Sequence, residues 1–137
     1  MADTSNWSAI IVDDEPDNLG VIELVMGFNG VRFRAAQSGA ECLTYLAAET
    51  PTFMLVDIQM PGMSGFELLE RIRANPDWKQ LPVIAVTAYA KPEDEQRITT
   101  AGFNGYISKP VDVLTLMDQI ERFLEQWGRD KGGTSDD

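Results

Sequence analysis

Three carboxylates, a hydroxyl and an ammonium occupy comparable places along the chain. Asp13 and Asp14 follow the apolar run 9–12, Asp57 follows 53–56, Thr87 follows 83–86, and Lys109 follows 106–108. Each has an ordinary explanation by itself: Asp and Thr cap helices or close turns, and a lysine sits in solvent. Such explanations fit less well when all five stand directly after strand-like runs. Two carboxylates about 4 Å apart repel by roughly 4 kcal/mol at an effective dielectric near 20. A third charge worsens this unless a cation or a proton intervenes. A hard, oxygen-only donor set suits Mg²⁺, which commonly works with phosphate groups. Lys109 would add a fixed positive charge and Thr87 a hydrogen-bond donor. A metal, a lysine and a hydroxyl around a carboxylate are the parts that stabilise phosphoryl transfer onto it.

The elements that must position these groups are legible as alternation. Ala9–Val12, Val31–Ala35, Phe53–Val56, Val83–Val86 and Tyr106–Ser108 are short apolar runs bounded by polar or turn residues, hence buried strands. Helical periodicity fills every gap, which predicts an α/β fold with a parallel sheet covered on both faces. In such sheets ligands bind at the carboxyl ends of the strands.

The first helix starts near Pro16, turns Leu19, Ile22, Val25 and Met26 inward, and meets stop signals at Gly27 and Gly30. The second starts at Ser38 or Gly39 with Leu43, Leu46 and Ala47 on one face. The third follows Ser64, with Phe66, Leu69 and Ile72 inward and Glu67 spaced to pair with Arg71. The fourth, Pro92 to Ala101, offers only Ile98 as a bulky apolar residue and is therefore weakly anchored. The last carries Val113, Leu116, Met117, Ile120, Phe123, Leu124 and Trp127 on one stripe. Residues 128–137 contain nothing apolar to bury and read as a disordered tail. Residues 1–8 form an N-terminal extension and 9–127 one domain.

Composition narrows the chemistry. Among 137 residues there are 22 Asp and Glu against 11 Lys and Arg, a net charge of −11, and no histidine. The acidity disfavours nucleic acid and anionic membranes as partners. The missing histidine excludes His-metal sites, His general bases and Ser-His-Asp hydrolysis. Cys42 is a single cysteine, so no intrachain disulfide forms. No stretch is long enough for a membrane span, and the first residues lack a signal-peptide pattern. The chain reads as soluble and cytoplasmic.

The segments Ile11-Val12-Asp13-Asp14-Glu15-Pro16, Val56-Asp57-Ile58-Gln59-Met60-Pro61-Gly62-Met63-Ser64-Gly65, Val86-Thr87-Ala88 and Lys109-Pro110 occur in that order. Together they resemble the receiver domain of two-component response regulators, over nearly the whole of 9–127. The resemblance implies a doubly wound, flavodoxin-like fold with five parallel strands in the order 2-1-3-4-5 and five helices. It implies Asp57 as the phosphoacceptor. Mg²⁺ would be held by Asp13, Asp14, Asp57 and the backbone carbonyl of Gln59, with Asp13 acting mainly through water. Lys109 would pair with the phosphoryl group and Thr87 would hydrogen-bond to it. Tyr106 would be an aromatic switch that turns inward, and the Lys109–Pro110 peptide would be cis. The donor would be a sensor histidine kinase or a histidine phosphotransfer domain. The output would be a downstream target bound at the face made by the fourth helix, fifth strand and fifth helix, or relay of the phosphoryl group to a histidine phosphotransfer domain. The chain would be no enzyme beyond its own phosphorylation and dephosphorylation.

Gln59 and Tyr89, two residues after Asp57 and Thr87, fall where the family varies and tunes dephosphorylation. Met54, Met60 and Met63 read as packing residues, and Trp78 as partly buried in its proline-flanked loop. An aspartate phosphatase of the haloacid-dehalogenase kind would need Asp-x-Asp, whereas Gln59 follows Asp57 at that spacing. A flavodoxin-like cofactor domain would need a phosphate loop where Asp13-Asp14-Glu15 stand. The strongest alternative is a phosphorylation-independent adaptor, against which the intact Asp57, Thr87 and Lys109 set speaks.

Overall fold

Five strands pair in parallel, in the order β2-β1-β3-β4-β5. They are β1 (Ser8–Val12), β2 (Arg32–Ala36), β3 (Phe53–Asp57), β4 (Val83–Thr87) and β5 (Gly105–Ser108). Between and after them run α1 (Pro16–Phe28), α2 (Gly39–Ala48), α3 (Gly65–Ala74), α4 (Pro92–Ala101) and α5 (Leu116–Ser135). A short 3₁₀ turn, Pro76–Trp78, follows α3. The computed structural model describes residues 4–88 and 91–135, with side chains as far as 129. The observed order is the flavodoxin-like one, and each predicted strand lies within a residue or two of its observed bounds.

The period-2 geometry of a strand sorts its residues onto two faces. Ile10, Val12, Met54, Val56 and Ala85 pack on one face with Cys42, Leu46, Leu68, Leu69, Ile72 and Ile98 from α2, α3 and α4. Ala9, Ile11, Phe53, Leu55, Ile84 and Val86 pack on the other with Leu19, Ile22 and Met26 of α1 and Leu116 and Ile120 of α5. Burial on both sides explains why β1, β3 and β4 are continuous apolar runs; β2, expected to be buried, is an edge strand that leaves Arg32 and Arg34 exposed. Met54 and Met60 lie in this core, and Met63 and Trp78 pack against it half-buried.

Several expectations need correction. The inward face of α2 is Cys42 and Leu46, flanked by Leu43, while Ala47 is exposed. The thiol acts as a small apolar group there. α1 continues through Gly27 to Phe28 and stops before Gly30, which has φ +72°. Glu67 does not pair with Arg71: its Oε1 accepts from the Ser64 N–H at 2.9 Å, completing a capping box with the Ser64 hydroxyl. Val113 lies outside the α5 stripe and is 53% exposed. Asp112 turns the chain there, its Oδ1 accepting from the Leu114 N–H, and α5 begins only at Leu116. At the other end α5 runs on past Gly128 to Ser135, through the stretch read as a tail. Ser8 belongs to β1, and Trp7 meets Phe53 edge-on at 6.0 Å, so the extension is partly built into the domain.

Candidate functional site

Strand register brings the five residues to one rim. Val12 is level with Val56, Asp57 with Val86, and Thr87 with Ser108. The residues that end or follow these strands therefore share the carboxyl edge of the sheet. Asp13 extends the ladder by one bond, its N–H reaching the Ala36 carbonyl at 3.0 Å. Its Oδ1 then accepts from the Glu15 N–H at 2.9 Å, bending the chain into α1. Asp13 is thus no helix cap, since Glu15 occupies that position without a side-chain bond. Nor does Thr87 cap α4, which starts after Lys91. The Lys109 N–H meets the Thr87 carbonyl at 2.9 Å, and the Lys109–Pro110 peptide is cis, as expected.

Asp13, Asp57 and Thr87 are the buried polar residues of the domain, among those described, at 1%, 4% and 1% exposure. Lys109 Nζ stands 3.0 Å from Asp13 Oδ2, 3.3 Å from Asp57 Oδ1 and 4.0 Å from Glu15 Oε1. Asp57 Oδ1 also accepts from the Gln59 N–H at 3.3 Å. Carboxylate oxygens of Asp13, Asp14 and Asp57 all lie within 4.8 Å of one another. Glu15 was not singled out from the sequence, though it continues the acidic run.

The electrostatics follow from crowding. Burial, and then the Asp13 carboxylate, push Asp57 up to about 6, against the pull of Lys109 and the Gln59 N–H. Burial works to lower Lys109, but Asp13 and Asp57 more than offset it and hold the ammonium above its usual range. One ammonium faces two buried carboxylates, with Asp14 beside them, so negative charge is in excess. Asp13 Oδ2 is buried and, apart from this charge contact, makes no hydrogen bond of good geometry. Hard oxygen donors, an excess of negative charge and an incompletely used buried acceptor fit a divalent cation of the Mg²⁺ kind.

Tyr106 lies apart from this cluster. Half-buried on β5, it donates its hydroxyl to the Glu95 carboxylate of α4, which holds the phenol above its usual range. Tyr89 lies outside the described residues. A cavity of about 280 Å³ adjoins the rim, lined by Ile58, Gln59, Phe66, Thr87, Asp94, Arg97 and Ile98. Nothing in the sequence singled out Arg97; it sits 4.3 Å above the Phe66 ring, a contact visible only in three dimensions. Among the described residues, no helix is long and apolar enough to cross a membrane.

Comparison with known proteins agrees with this geometry. The family model for the response regulator receiver domain matches residues 9–121. An uncharacterized 14.6 kDa protein of Leptolyngbya boryana is 37% identical over 123 residues, covering 90% of this chain and 94% of that one. The polar-differentiation response regulator DivK of Brucella ovis is 34% identical over 117 residues, 85% of this chain and 95% of its own. Among solved structures, the chemotaxis protein CheY4 of Vibrio cholerae superposes with a TM-score of 0.81 at 25% identity, covering 85% of this chain and 98% of CheY4. With its strand order, its acidic rim and these matches, the chain belongs to the response regulator receiver domain family.

Proposed function

We propose that Asp57 accepts a phosphoryl group from a phosphohistidine, carried by a sensor histidine kinase or a histidine phosphotransfer domain. The observation that carries this reading is the Asp57–Lys109 contact of 3.3 Å inside a cluster of three carboxylates. In the transfer, a carboxylate oxygen of Asp57 forms the new O–P bond as the N–P bond of the donor breaks; the bonding pair stays on the ring nitrogen, and with a proton held on the other ring nitrogen the donor leaves as neutral histidine. These 137 residues contain no histidine, so the donor histidine lies outside them.

A bound Mg²⁺ would neutralise the crowded charges and the phosphoryl oxygens; Asp13, Asp14, Asp57 and the Gln59 carbonyl are the groups to hold it. Lys109 pairs with a phosphoryl oxygen in place of its contact to Asp57 Oδ1. Thr87, at the end of β4, donates its hydroxyl to another. Even without the metal, Asp57 at about 6 remains mostly ionised near neutral pH, as a nucleophilic carboxylate must be. Signalling follows from movement of Thr87, inward rotation of Tyr106 and release of its bond to Glu95 on α4. This makes α4, β5 and α5 the face for a downstream target. The chain catalyses only its own phosphorylation and dephosphorylation, acts in the cytoplasm, and binds neither DNA nor membrane.

Val113 and Leu114, in the turn beyond Pro110, are exposed apolar side chains near Lys109 in sequence, available to a docking donor. The direct test is incubation with Mg²⁺ and acetyl phosphate, followed by intact mass. The wild type gains one alkali-labile phosphoryl group and Asp57→Asn gains none. Failure with this donor and with a panel of kinases would leave the fold as a phosphorylation-independent adaptor.

A further inference from the structure

The cavity beside Thr87 has two charged walls, both from α4. Asp94 and Arg97, one helical turn apart, line it together with Gln59 and Thr87. Gln59 donates its backbone N–H to Asp57, and Thr87 follows the residue level with Asp57, so two of the lining residues adjoin the proposed phosphoacceptor. Arg97 forms no ion pair among the described residues, and its guanidinium rests on the Phe66 ring. The side chain is exposed, and a cation over an aromatic ring at an exposed site is a weak tether. α4 is equally loose: Ile98 is its single buried residue, and no side chain caps its start. The other charges of this helix near its start are Lys91, Glu93 and Glu95; Glu93 is exposed and Glu95 is engaged with Tyr106.

We infer that Arg97 is a second phosphoryl-directed cation, which leaves Phe66 for the cavity when Asp57 is phosphorylated and so moves α4. This rests on the reading of Asp57 as phosphoacceptor and adds a residue that this reading does not use. A phosphoryl group replaces the single carboxylate charge of Asp57 with roughly two on oxygens that reach farther from the rim. It attracts Arg97 and repels Asp94, and because both project from the same side of one helix, the opposed forces tilt α4 rather than merely pull it. Arginine suits the task, since its planar fork matches phosphate oxygens and its charge is permanent. Arg97 is a positioning residue for α4 here; the transfer itself needs only the groups already described.

The test is hydrogen exchange of the α4 amides, before and after phosphorylation with acetyl phosphate and Mg²⁺, with intact mass as the control for phosphoryl uptake. Wild type is expected to change its α4 exchange rates several-fold on phosphorylation. Arg97→Gln should take up the phosphoryl group yet lose most of that change. Arg97→Lys, which keeps the charge, should restore a substantial part, an outcome that a purely packing role would not produce. Arg97 is exposed, so neither variant threatens the fold. If phosphorylated Arg97→Gln shows the wild-type α4 response, or phosphorylated wild type shows none, the inference is wrong. If wild type takes up no phosphoryl group, the reading beneath it fails as well, and the mass control separates the two failures.

Discussion

Gly65 lies directly against Asp57: a Cβ at position 65 would stand 2.5 Å from the Asp57 carbonyl oxygen and 2.7 Å from Ile58 Cα. Both obstacles are backbone, so neither can swing aside. The Gly65 N–H, meanwhile, holds the Ile58 carbonyl at 2.8 Å, drawing the start of α3 against the loop that follows Asp57. Gly65→Ala should therefore cost about 1–3 kcal/mol of stability, as overpacking does. It should also displace Asp57 and slow phosphorylation. Urea unfolding and uptake from acetyl phosphate measure the two effects separately.

Crowding of Asp13, Asp14 and Asp57 predicts a stability response to metal. Mg²⁺ at about 100 times its dissociation constant should add about 2.7 kcal/mol, seen as a rise of several degrees in melting temperature. Chelation reverses it. In metal-free buffer Asp57→Asn should melt higher than wild type, because it removes one of the repelling charges, and it should gain less from Mg²⁺. An unchanged melting temperature in saturating Mg²⁺ would count against the site.

Arg73 predicts a larger structural loss. Its Nη1 donates to the carbonyls of Trp78, Lys79 and Leu81, and its Nη2 to the Gly102 carbonyl and to Asn104 Oδ1. Asn104 Oδ1 also accepts from the Val83 N–H at 2.8 Å. Arg73→Ala should cost about 3 kcal/mol, since several partly buried acceptors lose a charged donor. Arg73→Lys should recover little, because an ammonium cannot fork between two loops. Chemical denaturation of both variants gives the comparison.

Cys42 should be inert in the folded protein. It is fully buried, and burial pushes its thiol up to about 12 from an ordinary 9. An aromatic disulfide reagent at pH 8 should label it only as fast as the protein opens. The sign of the linkage follows: the unfolded thiol ionises first, so stability falls as pH rises from about 9 toward 12. Cys42→Ala should flatten that part of the profile.

The rim was legible in the sequence because each site residue stands beside a strand, and a parallel sheet brings those strand ends together. The strands were legible because Ile10 and Val12 face one layer while Ala9 and Ile11 face the other, leaving no polar position between. What stayed hidden depends on choices among partners. Glu67 had two, Arg71 and the Ser64 N–H, and helix spacing alone did not decide between them. Arg73 bonds across 31 residues to Asn104, a pairing that only the assembled loops create. Arg97 and Phe66 lie on different helices, so no periodicity predicts their contact.

The Arg73 fork also sets the mechanics of α4. It grips the Gly102 carbonyl just beyond the helix, where φ is +110°, and Phe103 is buried immediately after, edge-on to Phe66 at 5.9 Å. The opposite end has no buried side chain ahead of Ile98. α4 is therefore gripped most firmly at Gly102, and its first turns, tied through Glu95 to Tyr106, form the long arm of a lever beside the carboxyl rim of the sheet. Ten residues give an arm of about 15 Å, so a swing of about 10° carries its first turn by about 2.5 Å. A small displacement at Thr87 or Arg97 is thereby delivered as a larger one at Lys91 and Glu93, on the outer surface where a partner would meet it.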